Sequence, residues 1–76
     1  MARRYGFIKL DMTLIRNIHE SQSQQTLVTG IIGYCHDNGI KVIAEGIETQ
    51  EEMDTVIRLG ADYGQGYLLG KPQMEL

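Results

Sequence analysis

The run Ile40-Lys41-Val42-Ile43-Ala44 is apolar at every position but Lys41, is rich in β-branched residues, and stops at Glu45-Gly46-Ile47-Glu48. Such a run reads as a parallel strand covered on both faces. A carboxylate is costly to bury without partners, so a strand of this kind that ends in glutamate must end at a polar site or beside a counter-charge. Gly46 leaves room there for backbone or ligand to approach closely. Two plainer readings stand beside the functional one. Glu45 caps the next helix, or it pairs with Lys9 on a neighbouring strand, while Glu48 serves only the helix start.

The flanking segments decide what kind of sheet this strand joins. Phe7-Ile8-Lys9-Leu10 reads as a strand in which Phe7, Lys9 and Asp11 share one face and Ile8 and Leu10 the other. Residues 12–18 predict a short helical stretch, and the Ser/Gln cluster at 21–25 supplies N-cap candidates for a longer helix. Leu27, Val28, Ile31, Ile32 and Cys35 recur at helical spacing, and Asn38-Gly39 ends the segment. After the central strand, Thr49-Gln50-Glu51-Glu52 has the form of a capping box. Met53, Val56, Ile57 and Leu59 then form the apolar stripe of a helix ending at Gly60. Residues 61–65 predict an extended segment, and residues 66–72 a loop at the end of the sheet.

The order is therefore strand, helix, strand, helix, strand. Connections of this length fit right-handed parallel crossovers, which bring all three strand ends to one edge of the sheet. The expected class is α/β, a parallel βαβαβ unit. Its functional edge is where α/β proteins place their chemistry, and here it would carry Lys9, Asp11, Glu45, Glu48 and Gln65.

Size and charge narrow the function classes. A chain of 76 residues makes one small domain and buries only roughly 60% of the surface its unfolded form exposes. The single cysteine, Cys35, excludes an internal disulfide and reads as a small core residue. The formal net charge is −3, and the basic residues are scattered, which argues against a duplex nucleic-acid surface. Arg3-Arg4 is too short for a polybasic anchor, and no apolar run approaches the ~18 residues of a membrane span. A cytoplasmic, reducing setting is the expectation. The turn Gly64-Gln65-Gly66 lacks the spacing of a dinucleotide or nucleoside-triphosphate loop.

Three blocks, "IKLDMTLI" (8–15), "VIAEGIETQEE" (42–52) and "LGADYGQGYLLGKP" (59–72), occur in an order and spacing that resemble the C-terminal third of the EAL family. That family comprises bacterial phosphodiesterases that hydrolyse cyclic di-GMP. The resemblance implies strands six to eight of a (β/α)8-type barrel, within one partial domain covering residues 1–76. It implies that Lys9 sits near the attacking water and the scissile phosphate, and that Glu45 is a general base or a ligand to a second metal ion. It implies further that Gln65 lines the substrate site, with Asp11 and Glu48 holding loops and helix starts.

The resemblance also implies Mg²⁺ or Mn²⁺ as cofactor of the complete domain. The namesake Glu-Ala-Leu block, the early asparagine and glutamate metal ligands and the Asp-Asp-Phe-Gly-x-Gly loop would all lie before Met1. These 76 residues are therefore expected to hold no divalent cation tightly and to be inactive alone. Residues 1–6 lack the Pro-Asp that commonly precedes strand six, which marks them as a candidate truncated or non-native start. Unpaired sheet edges and partly wet Ile8, Leu10, Val42, Ile43 and helix stripes are expected to drive pairing with other copies or with the rest of a barrel. The alternative function is accordingly a non-catalytic assembly module that self-associates.

Overall fold

The computed structural model describes residues 6–66, 68 and 70–76. Residues 1–5, Tyr67 and Leu69, which belong to the expected start and loop, lie outside the described residues. Strand β1 (Gly6–Leu10) leads through a short helix α1 (Met12–Ile15) and a 3₁₀ turn (Ile18–Glu20) to helix α2 (Gln22–Asp37). Strand β2 (Ile40–Ala44), helix α3 (Gln50–Leu59), strand β3 (Tyr63–Gly66) and strand β4 (Lys71–Glu75) complete the chain.

The sheet order is β1-β2-β3-β4. β1, β2 and β3 are parallel, with Lys9 opposite Ile43 and Ile43 opposite Tyr63. The crossover expectation holds for these three strands. The fourth strand corrects the sequence reading, which placed a loop over residues 66–72. β4 returns antiparallel to β3, with an irregularity between Gly64 and Gly66. Gly70-Lys71-Pro72 carries turn signals. Proline without an N–H is nonetheless accommodated on an outer strand, and β4 is one of the two outer strands of the described sheet.

Local capping sets the helix starts. The Ser21 hydroxyl accepts from the Gln24 N–H at 3.2 Å and opens α2. Thr49 and Glu52 form the reciprocal capping box of α3, satisfying two N–H groups that the helix leaves unpaired.

One face of the sheet packs against the helices. Leu10, Val42 and Ala44 meet Val28, Ile32, Cys35 and Val56 there, with Ile15, Ile18 and Ile47 closing the same core. Burial and the Asp62 carboxylate push the Cys35 thiol up, in keeping with a packing role. The expected wetting of the strands is corrected by this packing. Leu10, Val42 and Ile43 are all buried, and only Ile8 among the four is partly exposed. Ile43 points to the opposite face, where the rings of Phe7 and Tyr63 reach each other across β2 with centroids 5.8 Å apart. In the helices, Leu27 and Ile57 lie on the solvent side, so the buried stripes are narrower than the periodic pattern.

Two carboxylates tie the layers together. Asp62, just before β3, accepts from the Val42 N–H at 2.8 Å and lies 2.7 Å from His36 Nε2. Burial alone would raise its pKa. His36, the Val42 N–H and Lys41 outweigh that and hold the carboxyl below its ordinary value. The fully buried Glu52 is also held low. Burial opposes its charge, but N–H groups of Asn17, Glu48 and Thr49 together with Arg16 prevail.

Both groups have folded pKa values below their unfolded ones. Their contribution to stability is therefore present above the unfolded values of 4.5 for Glu52 and 3.8 for Asp62, and it is lost as pH falls through the folded values. Thermal melts should show a lower Tm at pH 3 than at pH 7, because both carboxylates then lose their charge-dependent bonds. Equal midpoints at the two pH values would contradict this reading.

Candidate functional site at the strand C-termini

The C-terminal ends of the parallel strands bring Lys9 and Glu45 together. Lys9 and Ile43 are register partners, and the Glu45 N–H donates to the Leu10 carbonyl at 3.1 Å. β2 therefore continues extended past Ala44, and Glu45 returns to the face that carries Lys9. The Lys9 Nζ lies 3.8 Å from Glu45 Oε2, with the side chains 61% and 30% exposed. An ion pair this open to water adds little stability. It places a cation and a carboxylate side by side where a ligand can reach both.

The loop beyond Glu45 is tightly held. The Ile47 N–H donates to the Gln65 carbonyl at 2.9 Å, and the Leu68 N–H donates to the Ile47 carbonyl at 3.3 Å. Gln65 thus joins the same edge through its backbone, one residue beyond the Ala44–Gly64 register pair, and its side chain is partly exposed.

The glycines of this loop have a physical reason. Gly46 has φ +77°, and a Cβ there would lie 2.5 Å from the Met12 Cβ. Gly66, at φ +151°, would drive a Cβ into the backbone of Ile47. Both positions combine a left-handed conformation with close approach, the conditions only glycine meets without strain.

Asp11 and Glu48 face different tasks. The Asp11 carboxylate accepts from the Thr13 N–H at 2.9 Å and the Thr13 hydroxyl at 2.6 Å, capping α1. Those two bonds hold its pKa below the ordinary carboxylate value. Glu48 accepts from Arg16 Nη2 at 3.1 Å. Neither carboxylate is within ion-pair reach of Lys9 among the described residues.

Sequence reasoning assigned Glu52 only to the capping box. Its carboxylate also accepts from the Asn17 N–H at 2.8 Å and the Glu48 N–H at 2.9 Å. Nothing in the spacing of the Thr49–Glu52 box signals the partner at Asn17.

Among the described residues no three His, Cys, Asp or Glu side chains come together as a metal site. Glu45 offers one carboxylate with Lys9 beside it. A Mg²⁺ or Mn²⁺ ion demands several oxygen ligands, so the described side chains do not make up a divalent-cation site.

The chain matches known proteins in sequence and in fold. The profile of a family described as EAL domain matches residues 2–72. The cyclic di-GMP phosphodiesterase PdeF of Escherichia coli is 39% identical over 66 residues, covering 87% of this chain and 9% of PdeF. The EAL enzyme Bd1971, solved with cAMP and cyclic di-GMP bound, superposes with a TM-score of 0.82 at 42% identity, over 88% of this chain and 18% of that one. BlrP1 of Klebsiella pneumoniae, solved as a manganese and cyclic di-GMP complex, superposes with a TM-score of 0.80 at 42% identity, over 82% of this chain and 16% of that one. The chain thus spans less than a fifth of the length of each of these proteins.

The glycine analysis generates a direct test. Gly46→Ala should destabilise the chain by about 1–3 kcal/mol, the usual range for a side chain forced into a left-handed position. Gly66→Ala should cost more, because its Cβ would meet backbone that cannot rotate away. Urea unfolding of both variants checks the order, and an unaffected Gly46→Ala midpoint would contradict the close approach of Met12.

Proposed function

The chain belongs to the EAL domain family, and we propose that it forms one corner of a cyclic di-GMP phosphodiesterase site. The observation that carries this reading is the Lys9–Glu45 pair, 3.8 Å apart at the C-terminal end of parallel strands, in a chain whose relatives hydrolyse that dinucleotide by name.

The chemistry of the pair fits phosphodiester hydrolysis. Attack on phosphorus needs a deprotonated water and compensation of negative charge on the phosphate oxygens. Glu45, partly exposed and ending a rigid strand, takes the proton of the attacking water or supplies a carboxylate oxygen to a metal ion. Lys9 sets a cation against the phosphate. Gln65, on the neighbouring strand, contacts the substrate. A divalent cation, when bound in a complete site, would supply Lewis-acid stabilisation of the phosphate. We infer that Asp11 and Glu48 act indirectly, through α1 and Arg16, by holding the loops in place.

The described residues hold too few ligands for a metal-dependent site, so hydrolysis by this route draws on groups beyond these 76 residues. Replacing the matching 66-residue segment of PdeF with the corresponding part of this chain is expected to retain conversion of cyclic di-GMP to the linear dinucleotide. In that chimera Glu45→Gln should lower turnover by ~10² or more, with Lys9→Ala also strongly impaired. The isolated chain should give no product with Mg²⁺ or Mn²⁺. Full turnover in the Glu45→Gln chimera would overturn the assignment of Glu45.

A second reading, self-association of the chain as a non-catalytic module, is favoured by Phe7. It is 60% exposed on the sheet face opposite the helices. The outer edge of β1, with no strand beside it among the described residues, offers free backbone donors to another copy. Sedimentation equilibrium over a hundredfold dilution is expected to show a dimer dissociating, and a concentration-independent monomer would exclude this reading.

A further inference from the structure

Glu52 makes more bonds than a helix cap requires. A capping box needs its glutamate to accept from the N-cap N–H alone, which Glu52 does from Thr49 at 3.2 Å. The same oxygen also accepts from the Glu48 N–H at 2.9 Å, and the other oxygen accepts from the Asn17 N–H at 2.8 Å. The side chain is 1% exposed. A buried carboxylate with three N–H donors is a strong, directional anchor, because such charge-assisted bonds are shorter and stronger than neutral ones.

The two ends of this anchor belong to the two segments that carry the Lys9–Glu45 pair. Glu48 and Thr49 close the loop that begins at Glu45. Asn17 ends the turn after α1, which follows β1 and Lys9 directly. Asn17 is also the one described non-glycine residue with positive φ, at 57°, a left-handed turn position that asparagine adopts more readily than most side chains. Around this anchor, Arg16 donates to Glu48 at 3.1 Å, and Met12 fills the space that Gly46 leaves open. The Arg16 and Met12 contacts join the β1–α1 segment to the β2–α3 loop directly, and Glu52 joins the same two segments through α3.

We propose that Glu52 is a positioning residue that sets the spacing of Lys9 and Glu45 by clamping the two loops from the helix side of the sheet. The assignment rests on the reading of Lys9 and Glu45 as the working pair. It adds a buried residue, remote from the substrate side, on which their geometry depends. The role exceeds stabilisation of α3, since the Asn17 bond lies outside the capping box altogether.

The test is made by NMR on the full chain without nucleotide, so an inactive phosphodiesterase chimera would bear on the proposed function and leave this result standing. Lys9→Met perturbs the Glu45 side-chain carboxyl resonance when the two groups are neighbours. Combined with Glu52→Gln, whose amide nitrogen cannot accept from an N–H, that perturbation should fall to less than about half. Amide exchange at Asn17 and Glu48 should quicken by about tenfold, the order expected for loss of one charge-assisted bond, while Val42 and Ile43 keep their protection.

Thr49→Ala serves as the comparison, since it weakens the α3 cap and leaves the Glu52 carboxylate in place. It should leave the Glu45 response to Lys9→Met intact. An equal response in Glu52→Gln and the parent chain would overturn the proposal, as would an equal loss of response in Thr49→Ala. Should Glu52→Gln not fold, the same reading is made on Glu52→Asp, which holds the carboxylate one methylene short of Asn17. An unchanged response there, or failure of both variants to fold, would mark Glu52 as a folding residue and overturn the positioning role.

Discussion

Burying a carboxylate in a chain this small is the constraint on which the rest of the structure turns. An isolated charge under the sheet would be strongly unfavourable, and Glu52 is tolerated because three backbone N–H groups and Arg16 surround it. Those donors come from both sides of the β1–β2 pair, so satisfying the charge joins the two loops. Ile47, fully buried in the same core as Ile15 and Ile18, adds apolar packing beneath the loops. The polar edge above carries the exposed Lys9 and the partly exposed Glu45, while the buried Glu52 and the more exposed Arg16–Glu48 pair tie the loops together.

That division explains why Lys9 and Glu45 are exposed and Glu52 is not. Groups proposed to meet a ligand need access and a stable frame, and side chains on strand ends are more precisely held than those on free loops. Glu45 stands on a strand whose last amide is bonded to Leu10, and its loop is pinned at Ile47 and Glu48. The ion pair itself contributes little to the fold. Its geometry is inherited from the backbone bonds around it.

The sequence made the order of the three parallel strands legible, because each has a β-rich or extended run and each crossover has a capped helix. The Ser21 cap, the Thr49–Glu52 box and the placement of Lys9 and Glu45 at one edge were readable for the same reason, since they depend on local spacing. The rest depended on long-range contacts. β4 was hidden by Gly70-Lys71-Pro72, whose turn signals say nothing of the β3 edge waiting beside them. The burial of Ile43 required Phe7 and Tyr63 to meet across β2, and Leu27 and Ile57 matched a periodic stripe wider than the face actually covered. The Glu52–Asn17 bond joins residues far apart in sequence, and no short pattern encodes it.

We propose that the Lys9–Glu45 edge meets the scissile phosphate of cyclic di-GMP. A crystal structure of the PdeF chimera with cyclic di-GMP bound tests it directly. A phosphate oxygen is expected within about 3 Å of the Lys9 ammonium, hydrogen-bond distance for a charged pair, with Glu45 facing the phosphorus from the side of attack and Gln65 against the ligand. A dinucleotide bound elsewhere in the chimera, with Lys9 and Glu45 facing only water, would contradict it.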